Sequence, residues 1–212
     1  MTHLRVISGA SALVVSAVAG SAGSQSPKPV AVSVEQQIAF AVSPAPVSLR
    51  PEATVLAYDS AGTVVTLRKG TNDMICIADD QRQSDFHVAC YFKELDPFMA
   101  RGRALRAKHL NHDQIDSVRA ADIKAGRFSM PKHPTALYQF YAERDSVDYT
   151  NGTVHGAEYL YVVYTPYATP ATTGILAQPL DGGPWLMYPG TPFAHIMISP
   201  QKRSTVTVVA TK

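Results

Sequence analysis

Residues 74–78, MICIA, and residues 86–92, FHVACYF, decide how this chain is built: two short apolar runs flank the polar tract DDQRQSD over residues 79–85. Runs of this length around a polar stretch read as a β-hairpin. Successive strand residues point to opposite faces, so Cys76 shares a face with Met74, and Cys90 shares one with Phe86, Val88 and Phe92. Both sulfurs can then point toward one core. They are the only cysteines in the chain and lack CxxC spacing, so the hairpin predicts a Cys76 to Cys90 disulfide and an oxidising compartment.

Upstream of the hairpin, residues 54–58 and 64–68 read as strands separated by turns at residues 59–62 and 69–73, which predicts an antiparallel meander from residue 54 to residue 92. Residues 34–41, VEQQIAFA, predict a short helix that ends before Pro44 and Pro46. Past residue 93 the apolar period lengthens. Leu95, Phe98, Met99 and Leu105 fall at helical spacing through Lys108, and a second helix is predicted over residues 113–125 with Asn111 as cap and Gly126 as stop. Lys93, Arg101, Arg103, Arg106 and Lys108 read as the wet side of the first of these helices. Strand signals return at residues 135–141, 158–165, 185–188, 193–199 and 205–210. This order implies an α+β domain, with a mostly antiparallel sheet or partly open barrel and a two-helix insertion around residues 94–126.

The N-terminus reads as an address. A basic start over residues 1–5 precedes VISGASALVVSAVAG at residues 6–20, and small-x-small patterns close it at residues 17–19 and 20–22. This predicts a signal peptide over residues 1–22, an extension with a short helix over residues 23–50, and a single α+β domain over residues 51–212. Ser8, Gly9, Ser11 and Ser16 interrupt the apolar run, which is too short to span the roughly 20 residues of a hydrocarbon core. The mature chain is therefore expected to be secreted or periplasmic, without a transmembrane segment. At 46% hydrophobic and 17% charged residues, the composition is that of a folded chain rather than a disordered one. Taking Arg5 with the leader away from the 19 basic residues leaves 18 against 17 acidic ones, too even a balance to attract nucleic acid.

Eight of the ten tyrosines lie between residues 138 and 188, enough to line a pocket with amphipathic rings. Tyr159, Tyr161, Trp185 and His195 are the expected surface for a small ligand or an envelope component bound without turnover. Tyrosine is also simply a favoured strand residue with its hydroxyl at a wet edge. A second reading makes the protein a metal-dependent hydrolase or cupin-like oxygenase. Here His155, Glu158 and His195 would bind zinc, iron or manganese, since imidazole and carboxylate suit those ions. In a regular strand the odd spacing of His155 and Glu158 sends them to opposite faces, so a shared ion requires a bulge or turn at Gly156. His195 sits in FAHIMI, apolar on both faces, and a buried imidazole needs a partner. A carbonyl or tyrosine makes it structural; a metal or substrate makes it a site.

Asp79, Asp80 and Asp85 lack the spacing of a calcium loop and read as a solvated hairpin. Asn151-Gly152-Thr153 is an N-glycosylation pattern. Serine elbows, P-loops, dinucleotide fingerprints and fixed-period repeats are absent from the sequence. Gly183, Pro189, Gly190 and His195 resemble the second motif of the cupin barrels, with a longer gap before the histidine and no HxH motif upstream. Residues 67–72, LRKGTN, followed by Cys76 and Asp79-Asp80, together with Met130-Pro131 and residues 190–197, GTPFAHIM, resemble a family of uncharacterised exported bacterial proteins. That resemblance covers residues 34–199. It implies export and a single domain, and supplies no catalytic residues.

Overall fold

The computed structural model describes residues 32–180, 182–200 and 202–209, and the leader expected over residues 1–22 lies outside them. Ser33 starts helix α1 (Val34–Val42) with a capping box: its hydroxyl accepts from the Gln36 N–H, and the Gln36 side chain accepts from the Ser33 N–H. Strands β1 (Thr54–Tyr58), β2 (Val64–Arg68), β3 (Met74–Ile77) and β4 (Asp85–Phe92) follow, then helices α2 (Asp96–Arg106) and α3 (His112–Lys124). Asn111 and Gln114 form the same reciprocal cap on α3. The second half runs through β5 (Thr135–Glu143), β6 (Val147–Asp148), β7 (Thr153–Tyr164), the one-turn helix α4 (Pro170–Thr173), β8 (Pro184–Met187), β9 (His195–Ile198) and β10 (Arg203–Thr207).

The fold is α+β. Its strands join one open, mostly antiparallel sheet in the order β2-β1-β3-β4-β5-β7-β9-β8, with β6 and β10 paired to the first half of β7. The sheet does not close into a barrel. The pairing of β1 with β3 is parallel, so the meander expected over residues 54–92 gives way to an arrangement with β2 at the edge and β1 inside.

The LRKGTN stretch produces this reordering. After β2 the chain doubles back past the start of β1, where the backbone N–H groups of Thr71 and Asn72 both donate to the Glu52 carbonyl, at 2.9 and 3.2 Å. Arg68 donates to the carbonyls of Ala53 and Arg50, and the Asn72 amide donates to that of Leu49 at 2.7 Å. A Cβ on Gly70 would stand 2.2 Å from the Glu52 oxygen and 2.3 Å from the Thr54 nitrogen, so only glycine allows the crossing.

Strand alternation assigns the two faces of the sheet. Val55, Cys76, Phe86, Val88, Cys90 and Phe140 lie on the face that carries α1, whose Phe40, Ala41 and Val42 are buried in the same core. The helix expected in an N-terminal extension is thus part of the core, because its apolar residues have no other surface to cover. Ile75, Ala89, Tyr91, Leu137, Val162 and Tyr164 occupy the other face with Leu95 and Phe98. Cys76 and Cys90 stand directly opposite each other on β3 and β4 and form the disulfide, both fully buried.

The helices are tied together by a buried carboxylate. Asp122, 2% exposed, accepts from Arg101 Nε of α2 at 2.5 Å and from Arg127 Nε beyond α3 at 2.6 Å. Burial alone would raise its pKa, and the two guanidiniums reverse that and hold it below the ordinary aspartate value. Among the described residues, no helix is long and apolar enough to cross a membrane.

Candidate functional site

Between the sheet and the α2–α3 pair lies a cleft of about 550 Å³, within the range of small-molecule sites. Its floor is built by residues of β3, β4, β5 and β7 that alternation turns toward the helices: Ile77, then His87, Ala89 and Tyr91, then Leu137, Gln139 and Tyr141, and last Tyr164. Met99, Arg103 and Arg106 fall at helical spacing along one side of α2 and make one wall, while α3 adds His112 and Arg119. Asp79, Asp80 and Asp85 of the β3–β4 hairpin stand at the far rim. The basic residues expected on the wet side of α2 therefore divide, Arg103 and Arg106 facing a concavity that only the folded sheet creates.

On the floor, the His87 and Tyr141 rings stack at 4.3 Å with 7° between their planes. His87 Nε2 lies 2.9 Å from Gln139 Oε1, which also accepts from the Tyr141 hydroxyl. An amide oxygen accepting there places the proton on Nε2 and leaves Nδ1 as an acceptor. Desolvation pushes the His87 pKa down, the Gln139 bond opposes it, and the Arg106 charge lowers it further. Burial pushes the Tyr141 pKa up to about 12. Both shifts favour the neutral imidazole and phenol, so the formal charges around the cleft come from arginines and aspartates.

The arginines differ in what they have left to offer. Arg103 donates to the Tyr91 hydroxyl at 2.6 Å and to Asp96 at 3.1 Å, while Tyr91 itself donates to Asp96 at 2.8 Å, a closed triangle. Arg119 lies over the Phe98 ring at 3.9 Å, with Asp116 no nearer than 3.5 Å and its buried Nε without a hydrogen-bond partner. Gly102 makes this position available, since a Cβ there would come within 1.8 Å of Arg119 Nη2. Arg106 is exposed and makes no ion pair among the described residues. The rim aspartates are largely engaged elsewhere, Asp79 with Arg144 and Asp80 with Arg82.

The sites expected from sequence are not assembled. The register Phe140↔Tyr159 and Tyr138↔Tyr161 places Tyr159 and Tyr161 on the α1 face, with Tyr159 stacked on Phe140 at 5.0 Å. Trp185 pairs with Met197, and His195 with Tyr164, on the opposite face. These four side chains therefore do not share a surface. A backbone carbonyl satisfies His195, whose Nδ1 lies 2.8 Å from the Phe193 oxygen while its ring sits 5.0 Å from Tyr164.

At Gly156, φ 62°, the alternation of β7 breaks without a shift of register against β10, and His155 and Glu158 come to one exposed side while Val154 and Ala157 are buried. Each is already engaged, His155 with Thr205 at 3.2 Å and Glu158 with Lys202 at 2.8 Å. His195 is beside Tyr164, six strand residues beyond Glu158 and so about 20 Å along β7. Among the described residues, no group of three potential ligands could hold a metal ion.

Desolvation lowers the pKa of His195 as it does that of His87, against a raising hydrogen bond to Phe193. A folded pKa below the unfolded value of 6.5 gives stability that is complete above 6.5 and is lost as pH falls through it toward the folded value. Unfolding free energy is expected to drop as pH falls below about 6.5, and both imidazoles to titrate below the unfolded value by NMR. Midpoints above it for both rings would contradict the arrangement.

Comparison with family models, with curated proteins and with solved structures returned no match for this chain.

Proposed function

We propose that this protein is exported and binds a small ligand, free or part of the cell envelope, in the α2–α3 cleft without chemical turnover. The observation that carries the reading is the convergence of arginines with the neutral His87–Gln139–Tyr141 floor in one concavity of ligand size. Among the described residues no serine, threonine or cysteine lines the cleft, and the hydroxyls that do belong to tyrosines, with Tyr58, Tyr91, Tyr141 and Tyr164 all raised in pKa by burial. Export is supported by the leader-like residues 1–22 and by a buried disulfide of the kind that persists in oxidising compartments.

A fragment screen by protein NMR tests the binding site. Shift changes are expected to gather on His87, Ala89, Gln139 and Tyr141, and to vanish in Met99→Trp, which fills the cleft from its wall. Hits that cluster elsewhere, or that persist in the filled variant, would remove the cleft from consideration.

A further inference from the structure

We infer that the cleft selects an organic anion, its charged group held at the helix wall by Arg106 and Arg119 and its apolar body laid on the sheet. The inference rests on the binding reading above and names the class of ligand. Three observations support it.

The first is the local balance of charge. Arg103 is satisfied by Asp96 and Tyr91, whereas Arg106 has no ion pair among the described residues. Arg119 has only Asp116, at 3.5 Å, and that carboxylate is also 3.5 Å from His112. The helix wall thus holds more positive charge than its own acids offset.

The second is unused donor capacity. Arg119 Nε is buried with no hydrogen-bond partner among the described residues, an arrangement that costs free energy unless an acceptor reaches that guanidinium. The absence of a side chain on Gly102 is what lets the guanidinium take this position. A carboxylate or phosphoryl group matches the forked geometry of guanidinium donors.

The third is the floor. Ile77, Ala89, Leu137 and Met99 offer apolar area beside the arginines, and a volume of about 550 Å³ is far more than a bare inorganic anion fills. Asp85, exposed at the opposite rim, repels an anion there and so orients the charged end toward the helices.

Titration calorimetry of the exported chain with benzoate, phenyl phosphate, benzamide and inorganic phosphate tests this. Benzoate or phenyl phosphate is expected to saturate a single site, with benzamide and inorganic phosphate at least about tenfold weaker. Arg106→Gln, an exposed change that leaves the core untouched, is expected to weaken the anion about tenfold or more. Gly102→Ala forces the Arg119 guanidinium aside while raising helix propensity, so it is expected to lose affinity with its melting temperature kept. Benzamide binding as well as benzoate, inorganic phosphate binding as well as phenyl phosphate, or full affinity in Arg106→Gln would each overturn the inference, as would no anion binding up to millimolar concentration. Neutral fragments that shift the cleft resonances where anions bind no better would end the ligand class alone. A cleft that no fragment perturbs would end the binding reading as well.

Discussion

Replacing Cys76 and Cys90 together by alanine is expected to lower the unfolding free energy by about 3 kcal/mol, and by more if packing loosens around the lost sulfurs. The bond joins residues 14 apart in sequence, and opening a loop of about 15 residues restores roughly that much chain entropy to the unfolded state. Both sulfurs are fully buried in the core beneath α1, beside Val42, Val55 and Met74, so their removal also leaves space. Against a typical total of about 5–15 kcal/mol this is a large share. Urea unfolding of the variant, and of the native chain with and without reductant, gives the measurement. An unchanged midpoint would mean that the cross-link constrains nothing the sheet does not already hold.

Phe140→Ala is expected to cost about 3–5 kcal/mol, the range for emptying a buried aromatic site. Phe140 is fully buried at the centre of β5, edge-on to Phe86 at 5.6 Å and stacked on Tyr159 at 5.0 Å. Phe86 in turn meets Phe40 of α1, so the aromatic chain links the helix to three adjacent strands. Phe140→Leu keeps most of the volume and is expected to cost much less. Equal losses in the two variants would show that volume is not what the site requires.

What was legible in the sequence follows from what is local. The bounds of β1 and β2, the Cys76–Cys90 pairing and the Asn111 cap each depend on residues within one element or one hairpin, and each stands as read. Which strands become neighbours is not local. Alternation in β1 is the same whether β2 or β3 lies beside it, and the glycine that permits the crossing is indistinguishable from any turn glycine until Glu52 is seen above it. The ligand surface expected from Tyr159, Tyr161, Trp185 and His195 failed for the same reason. Tyr159 and Tyr161 do share a face, but the register of β9 on β7 sends Trp185 and His195 to the other one. Arg106 is exposed as a wet-side residue should be, but that Arg103 and Arg106 face a concavity does not show in a helix with arginines three apart, which carries no sign of the sheet beneath it. The faint signal was Met99, an apolar residue continuing their line.

Strand β7 carries a consequence for how the molecule assembles. It serves four neighbours: β5 and β9 along its second half, β6 and β10 along its first. The partners β5 and β6 precede β7 in the sequence and are already made when it leaves the ribosome, whereas β9 and β10 follow it. Until then one long border of β7 offers unsatisfied backbone donors and acceptors to any other strand it meets. Chains cut short before His195 are therefore expected to dimerise or precipitate rather than merely lose stability, because β9 and β10 cover that border of β7.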